Sequence, residues 1–402
     1  MTARSPTQLM VSTAVALVLG APSLALGQQV GPYEPLGIRA GSFLIFPSLT
    51  LTEQYDDNVF ADPHDTKDDF VTIVQPRVQA QSNWSRHSLN VSAGGNIGFH
   101  VNETDNDYQD AFIRSAGRLD ITRDNYLNGT VNLARVHQGR DDPENDPNRQ
   151  DTTEIYQYGT TLSYTHVFNR LNVTVNGGVM RDDYAPSDES DRDQNDYIAG
   201  LRTGYFLSPR INTYIYGDYQ VTKRDQRVDS GGVERDSKSW EAGVGAAVTL
   251  TDLITSDVQV GYTRQTYAEG SFSDNQGVGY ALDLTWTPTL LTTVRATGSG
   301  DFRPTSSEGS DAEANFRSTV GASVDHELLR NVHLGAHVNY IRDDFSGPSR
   351  TDNGVAVGGG VTYFLNRNLS VDAGYTYQQR WSDVPDDEFS RNLVMVGITG
   401  RL

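Results

Sequence analysis

The chain has no cysteine among its 402 residues, so no disulfide framework holds it together. A domain of this size must rest instead on a large core or on a hydrogen-bonded sheet closed on itself. Lysine is almost absent, and 52 acidic against 32 basic residues leave a net charge of -20. That balance argues against nucleic acid as a partner, because such binding relies on basic patches. Long hydrophobic runs are missing too: after residue 27 none approaches the roughly 20 residues that a spanning helix needs. A mean hydropathy of -0.50 agrees. Helical spans are thereby excluded. A transmembrane β-barrel is not, since only every second residue of its strands faces lipid.

What is present begins with a targeting segment. Arg4 supplies a positive start, Leu9 to Gly20 form an apolar run, and Ala25-Leu26-Gly27 offers small residues for cleavage before Gln28. Residues 1–27 are therefore expected to be a signal peptide, and 28–42 a short periplasmic lead. The apolar run is too short for a membrane anchor.

From residue 43 to 402, segments of alternating polarity recur. Leu171, Val173, Val175 and Val179 alternate with Asn172, Thr174 and Asn176; Val332, Leu334, Ala336, Val338 and Tyr340 alternate with His333, Gly335, His337 and Asn339. Period two over such lengths marks strands longer than the ~5–6 residues common in soluble sheets. Tyr (20), Gly (38), Thr and Val suit a pleated, curved wall. The regular alternation also sets aside disorder as the reading of an acidic, hydrophilic chain.

Connections come in two alternating kinds. Short turns such as Phe168-Asn169-Arg170, Ser208-Pro209-Arg210 and Leu365-Asn366-Arg367 face longer acidic stretches such as 56–69, 139–151, 182–195, 224–239, 303–315, 343–353 and 382–390. The expected fold is all-β: a transmembrane antiparallel up-and-down barrel of about 18 strands, with short periplasmic turns and long extracellular loops. Sixteen is the alternative count, because 109–122 and 126–138 alternate imperfectly. Strand starts are expected near Phe43, Phe70, Ser88, Gln109, Tyr126, Glu154, Arg170, Asn195, Ile211, Lys238, Ser256, Gln276, Leu291, Ala314, Asn331, Gly354, Asn368 and Arg391. Phe168, Trp286 and Tyr363 near the turns, with Tyr184, Trp240, Tyr267, Tyr340 and Trp381 near the loops, suggest two interfacial aromatic belts. Asn392, Val394, Val396 and Ile398 share one face of a last strand ending at Leu402. The expected location is the bacterial outer membrane, with its lipid and lipopolysaccharide as partners.

Catalytic chemistry is not expected, nor any cofactor. The eight histidines show no paired metal-ligand spacing. His333 and His337 would stand about 13 Å apart on one strand, too far for one zinc ion. The acidic clusters Asp141, Asp142, Glu144, Asp146 and Asp188, Asp191, Asp193, Asp196 lack calcium-loop spacing and read as a solvated surface, or as a place for the divalent cations that bridge lipopolysaccharide. The inward faces say more. If the apolar phase of each strand meets lipid, Arg114, Arg118, Arg202, Arg295 and Arg317 point into the lumen, as do Asp120, Asp218, Asp283, Asp325 and Asp372. Tyr214 and Tyr216 share that phase and would suit stacking on sugar faces, although salt bridges along the wall are the simpler role for any one of these residues.

The run Gly41 to Leu49 is followed by Tyr55-Asp56-Asp57-Asn58-Val59-Phe60. Together they resemble the opening hairpin of the second putative β-barrel porin family of bacterial outer-membrane proteins. Members of that family are often encoded with capsule or exopolysaccharide machinery. The resemblance implies a conduit for a secreted polysaccharide as its substrate, partnered by a periplasmic polysaccharide-export protein. A passive diffusion porin for small solutes, usually narrowed by one inward-folded loop, and a structural or adhesive barrel are the competing expectations. Tyr55 to Phe60 is expected to shape the top of the first hairpin.

Overall fold

The computed structural model describes residues 32–145, 149, 151–229, 232–268, 272–305, 314–347 and 350–402. The signal peptide expected over 1–27 lies outside the described residues, as do Asp146 and the first part of the lead.

Alternation becomes a wall of long strands. A three-residue strand, β1 (Ile38–Ala40), comes first. The wall then runs β2 (Phe43–Asp56), β3 (Asp69–Ser82), β4 (Ser88–His100), β5 (Tyr108–Asp120), β6 (Asn125–His137), β7 (Glu154–Phe168), β8 (Leu171–Tyr184) and β9 (Gln194–Ser208). It continues with β10 (Ile211–Arg224), β11 (Ser237–Thr251), β12 (Ile254–Tyr267), β13 (Asn275–Thr289) and β14 (Thr292–Pro304). The last strands are β15 (Ala314–Leu329), β16 (Val332–Ser346), β17 (Arg350–Asn366), β18 (Leu369–Ser382) and β19 (Phe389–Arg401). Each wall strand pairs antiparallel with the next, and β19 pairs with β2 from Leu393↔Asp56 to Arg401↔Ser48. The result is a closed barrel of 18 strands, which leaves no sheet edge along the wall.

Strand lengths of 13 to 17 residues exceed the 9–11 or so that a tilted crossing requires, so several strands project past the bilayer at the loop end. The weakly alternating segments, β5 and β6, form full members of the wall, which settles 18 over 16. The largest displacement of an expected boundary is at β16 and β17. These continue to Ser346 and from Arg350 through what was expected to be loop, because Asp344↔Thr351 and Phe345↔Arg350 still pair.

Burial is inverted relative to a soluble fold. Leu201, Val244, Val260, Val278, Val320 and Val396 are exposed on the outside, whereas the side chains shut away inside are mostly polar, such as Thr52, Gln157, Thr165, Asn172, Gln265 and Thr376. Phe168, Trp240, Trp286, Tyr340, Tyr363 and Trp381 stand exposed on the outer face as two belts would require. Tyr184 and Tyr267 do not. They fall on the inward phase of β8 and β12 and meet loop residues instead: Tyr184 lies under the Arg192 guanidinium (4.1 Å), and Tyr267 meets the Phe272 ring (5.4 Å).

At the turn end the lead is tied down. β1 pairs with β2 at Ile38↔Ile45, occupying the edge of β2 just beyond where β19 stops. Arg401 Nη2 donates to the Tyr33 carbonyl (2.9 Å), and the Leu402 amide donates to the Pro47 carbonyl (3.1 Å).

Candidate functional site

Strand parity places every expected lumen residue on the inward face, and most of them pair along the wall. Arg118 bonds Asp120 (2.9 Å) and covers the Tyr126 ring; Arg295 bonds Asp325 (2.7 Å); Arg317 grips Asp343 (2.5 and 3.0 Å). Arg114 donates to Asn132 (3.1 Å) and rests over Phe112. Arg202 bonds Asp257 (3.1 Å), which faces Asp283 across the β12–β13 ladder. Asp372 lies against Gly397, where a Cβ would come within 2.7 Å of its carboxylate.

Tyr214 and Tyr216 are inward but are not offered to a sugar. Each is over nine-tenths buried (4% and 8% exposed), which removes the stacking role expected of them. Gly245, Gly243 and Gly261 open a trough in β11 and β12, and the two rings lie down in it; a Cβ on Gly245 would sit 2.2 Å from Tyr214. The Tyr214 hydroxyl donates to Asp257 and that of Tyr216 to Glu241, while the Arg202 guanidinium covers the Tyr214 ring (3.3 Å). These groups make a polar patch pressed against the wall.

Arginines dominate the loop end of the later strands: Arg303, Arg317, Arg350, Arg380 and Arg391 face inward from β14, β15, β17, β18 and β19. The loop after β6 meets them through its described residues 138–145. Arg380 Nη1 donates to the Asp141 carbonyl (2.9 Å), and Arg391 Nη2 bonds the Asp141 carboxylate (3.2 Å). Asp142 feels the charge of Arg317 on β15, eight strands away from β7 around the wall. This third loop therefore crosses the lumen rather than standing in solvent.

Other loops brace it. Buried Arg192, in the loop after β8, pairs with Glu189, reaches Gln138 (3.3 Å) and approaches Glu144 (3.9 Å). Thr153 donates to Glu189 (2.8 Å). Arg224 at the end of β10 donates to the Arg192 carbonyl (2.6 Å) and to the Thr305 carbonyl beyond β14 (3.3 Å). The acidic clusters expected as solvated surface are thus partly internal: Asp193 and Asp196 are buried. Burial, with Glu144 close by, pushes the Asp142 carboxyl above its usual range; burial likewise raises Asp193 and Asp387. Asp225 moves the other way, held down by hydrogen bonds from Arg181.

The six-residue motif also acts away from its own hairpin. Asp57 accepts from the Asn392 amide (2.6 Å) and side chain (2.7 Å), Asn58 Nδ2 donates to the Ser390 carbonyl (3.1 Å), and Asp56 lies 3.9 Å from Arg391. Three consecutive residues thereby clasp the start of the last strand, where the barrel closes. Val59 is buried, Phe60 lies between Lys67 and Arg140, and Tyr55 faces outward beside Phe70. Sequence reasoning missed the clasp, as it missed Arg303, Arg350, Arg380 and Arg391. The available signal was a set of arginines recurring at loop-proximal ends of late strands, on the inward phase.

The family described as Putative beta-barrel porin 2 matches residues 31–402. The chain belongs to this family. It is accordingly an outer-membrane β-barrel porin, with the turns periplasmic and the loops extracellular. No curated protein matches its sequence. Similar solved structures come from Pseudomonas aeruginosa. OpdK is 12% identical at a TM-score of 0.46, covering 89% of this chain and 99% of that one. OccK2 (OpdF) is 11% identical at 0.47, with 89% and 98% covered, and OprD 11% identical at 0.44, with 92% and 98% covered.

Proposed function

We propose that the protein is a passive channel for small hydrophilic solutes. The supporting observation is the third loop, tied by Asp141 to Arg391 and Arg380, which stand five and six strands from β6 around the wall. A solute crossing the barrel must pass beside that loop through a lumen lined with paired charges and amides, which keep a hydrated path. A polysaccharide conduit, the function implied by the opening hairpin, fits less well. A threaded polymer would have to displace the braced loop, and the tyrosines expected to stack on sugars are buried.

Purified protein in liposomes tests the reading. Swelling with small sugars and amino acids, falling steeply as solute size rises, is the expected result. Absence of both swelling and single-channel conductance would remove it. Deletion of the gene should leave extracellular polymer unchanged; loss of polymer with synthesis intact would favour export instead.

A further inference from the structure

Arg391 stands at the meeting of two structures. From β19 it faces Asp56 of the closure clasp at 3.9 Å and Asp141 of the crossing loop at 3.2 Å. Its Nε donates in addition to Gln378, and its guanidinium lies near the Phe389 ring (5.8 Å). The flanking residues Ser390 and Asn392 are the ones held by Asn58 and Asp57. Zipping of the first and last strands therefore adds Asp56 and the clasped neighbours Ser390 and Asn392 to what holds Arg391. Two carboxylates on one guanidinium form a strut, since the planar fork can serve both at once.

We propose that Arg391 is the positioning residue of the constriction, and that the Asp56-Asp57-Asn58 motif sets where the third loop crosses the lumen by holding Arg391. On this view the motif does more than shape its hairpin: closing the seam and placing the loop are one event. Phe60 adds a second link of the same kind, its ring lying 5.5 Å from Arg140 at the root of that loop. The proposal rests on the porin reading for its consequence, a narrowed path, but not for its geometry.

The absence of native cysteine makes a direct test available. Asn145→Cys places a single thiol on the crossing loop, and its labelling by a membrane-impermeant maleimide on intact cells reports whether the loop is docked. Asp141→Asn or Arg391→Gln should raise the labelling rate about ten-fold, the factor carried by one charge-assisted hydrogen bond. Combining the two should add little, because they break the same bond. Arg391→Lys should restore much of the protection, which a purely steric role would not give. Unboiled electrophoresis confirms that each barrel is folded; if Arg391→Gln does not fold, Asp141→Asn, a loop substitution, carries the test. Labelling of a folded Asp141→Asn protein at the unchanged rate overturns the proposal. Conductance read in parallel separates the two ideas: altered labelling in a barrel that never conducts supports the strut and refutes the porin.

Discussion

At the scale of single residues, the extracellular loops hold carboxylates whose environments pull in opposite directions. Asp142 and Asp387 are raised by burial, so the folded state binds their protons more tightly than the unfolded chain does. Their contribution is fully present below the ordinary aspartate pKa and is lost as pH rises through their elevated values. Asp225 is lowered by Arg181, so its contribution is present above the ordinary value and lost as pH falls through its depressed one. Acidification toward the ordinary aspartate pKa should therefore raise the temperature at which the folded barrel converts to the unfolded form. Stronger acid, below the ordinary aspartate pKa, should reverse the gain as pairs like Arg181–Asp225 are neutralised. A transition temperature falling steadily from neutrality downward would contradict this account.

At the scale of the strand, two faces of one element carry different rules. In β9, Leu201 faces lipid (51% exposed), and Arg202 faces the lumen and bonds Asp257. An arginine at position 201 would sit near mid-strand against hydrocarbon. Leu201→Arg should destabilise the barrel by about 2–4 kcal/mol, read as a lower denaturant midpoint in lipid vesicles, whereas Arg202 is tolerated one residue away. A negligible shift would mean that β9 is covered by protein rather than lipid. This two-sidedness is why the wall was legible in sequence. Most strand starts lie within a residue or two of their expected positions, because polarity alternates wherever one side is apolar and the other wet. Alternation fails beyond the bilayer, where both faces are polar. There β16 and β17 run on past their expected ends, and Tyr184 and Tyr267 pass for belt residues.

At the scale of the whole molecule, the crossing of the third loop was not legible because it joins residues distant in the chain. Asp141 meets Arg391, and Asn58 meets Ser390; no local pattern announces contacts of that span. The inward arginines visible within the wall, Arg202 near mid-strand and Arg295 toward the turns, bond partners along the wall. Those that organise the mouth lie at strand ends, where phase is hardest to read.

The ties among Tyr33, Pro47, Arg401 and Leu402 bring the two ends of the described chain side by side at the periplasmic rim. Order along the chain is then separable from order around the ring. A circular permutant joining 402 to 32 through a short linker, with new ends opened at the turn 209–210, keeps every strand neighbour and both termini on the periplasmic side. It should still yield a compact band on unboiled gels, now zipping last between β9 and β10. Failure to yield that band would show that the ring can be sealed only where the Asp-Asp-Asn clasp stands, making this seam an assembly instruction rather than one joint among eighteen.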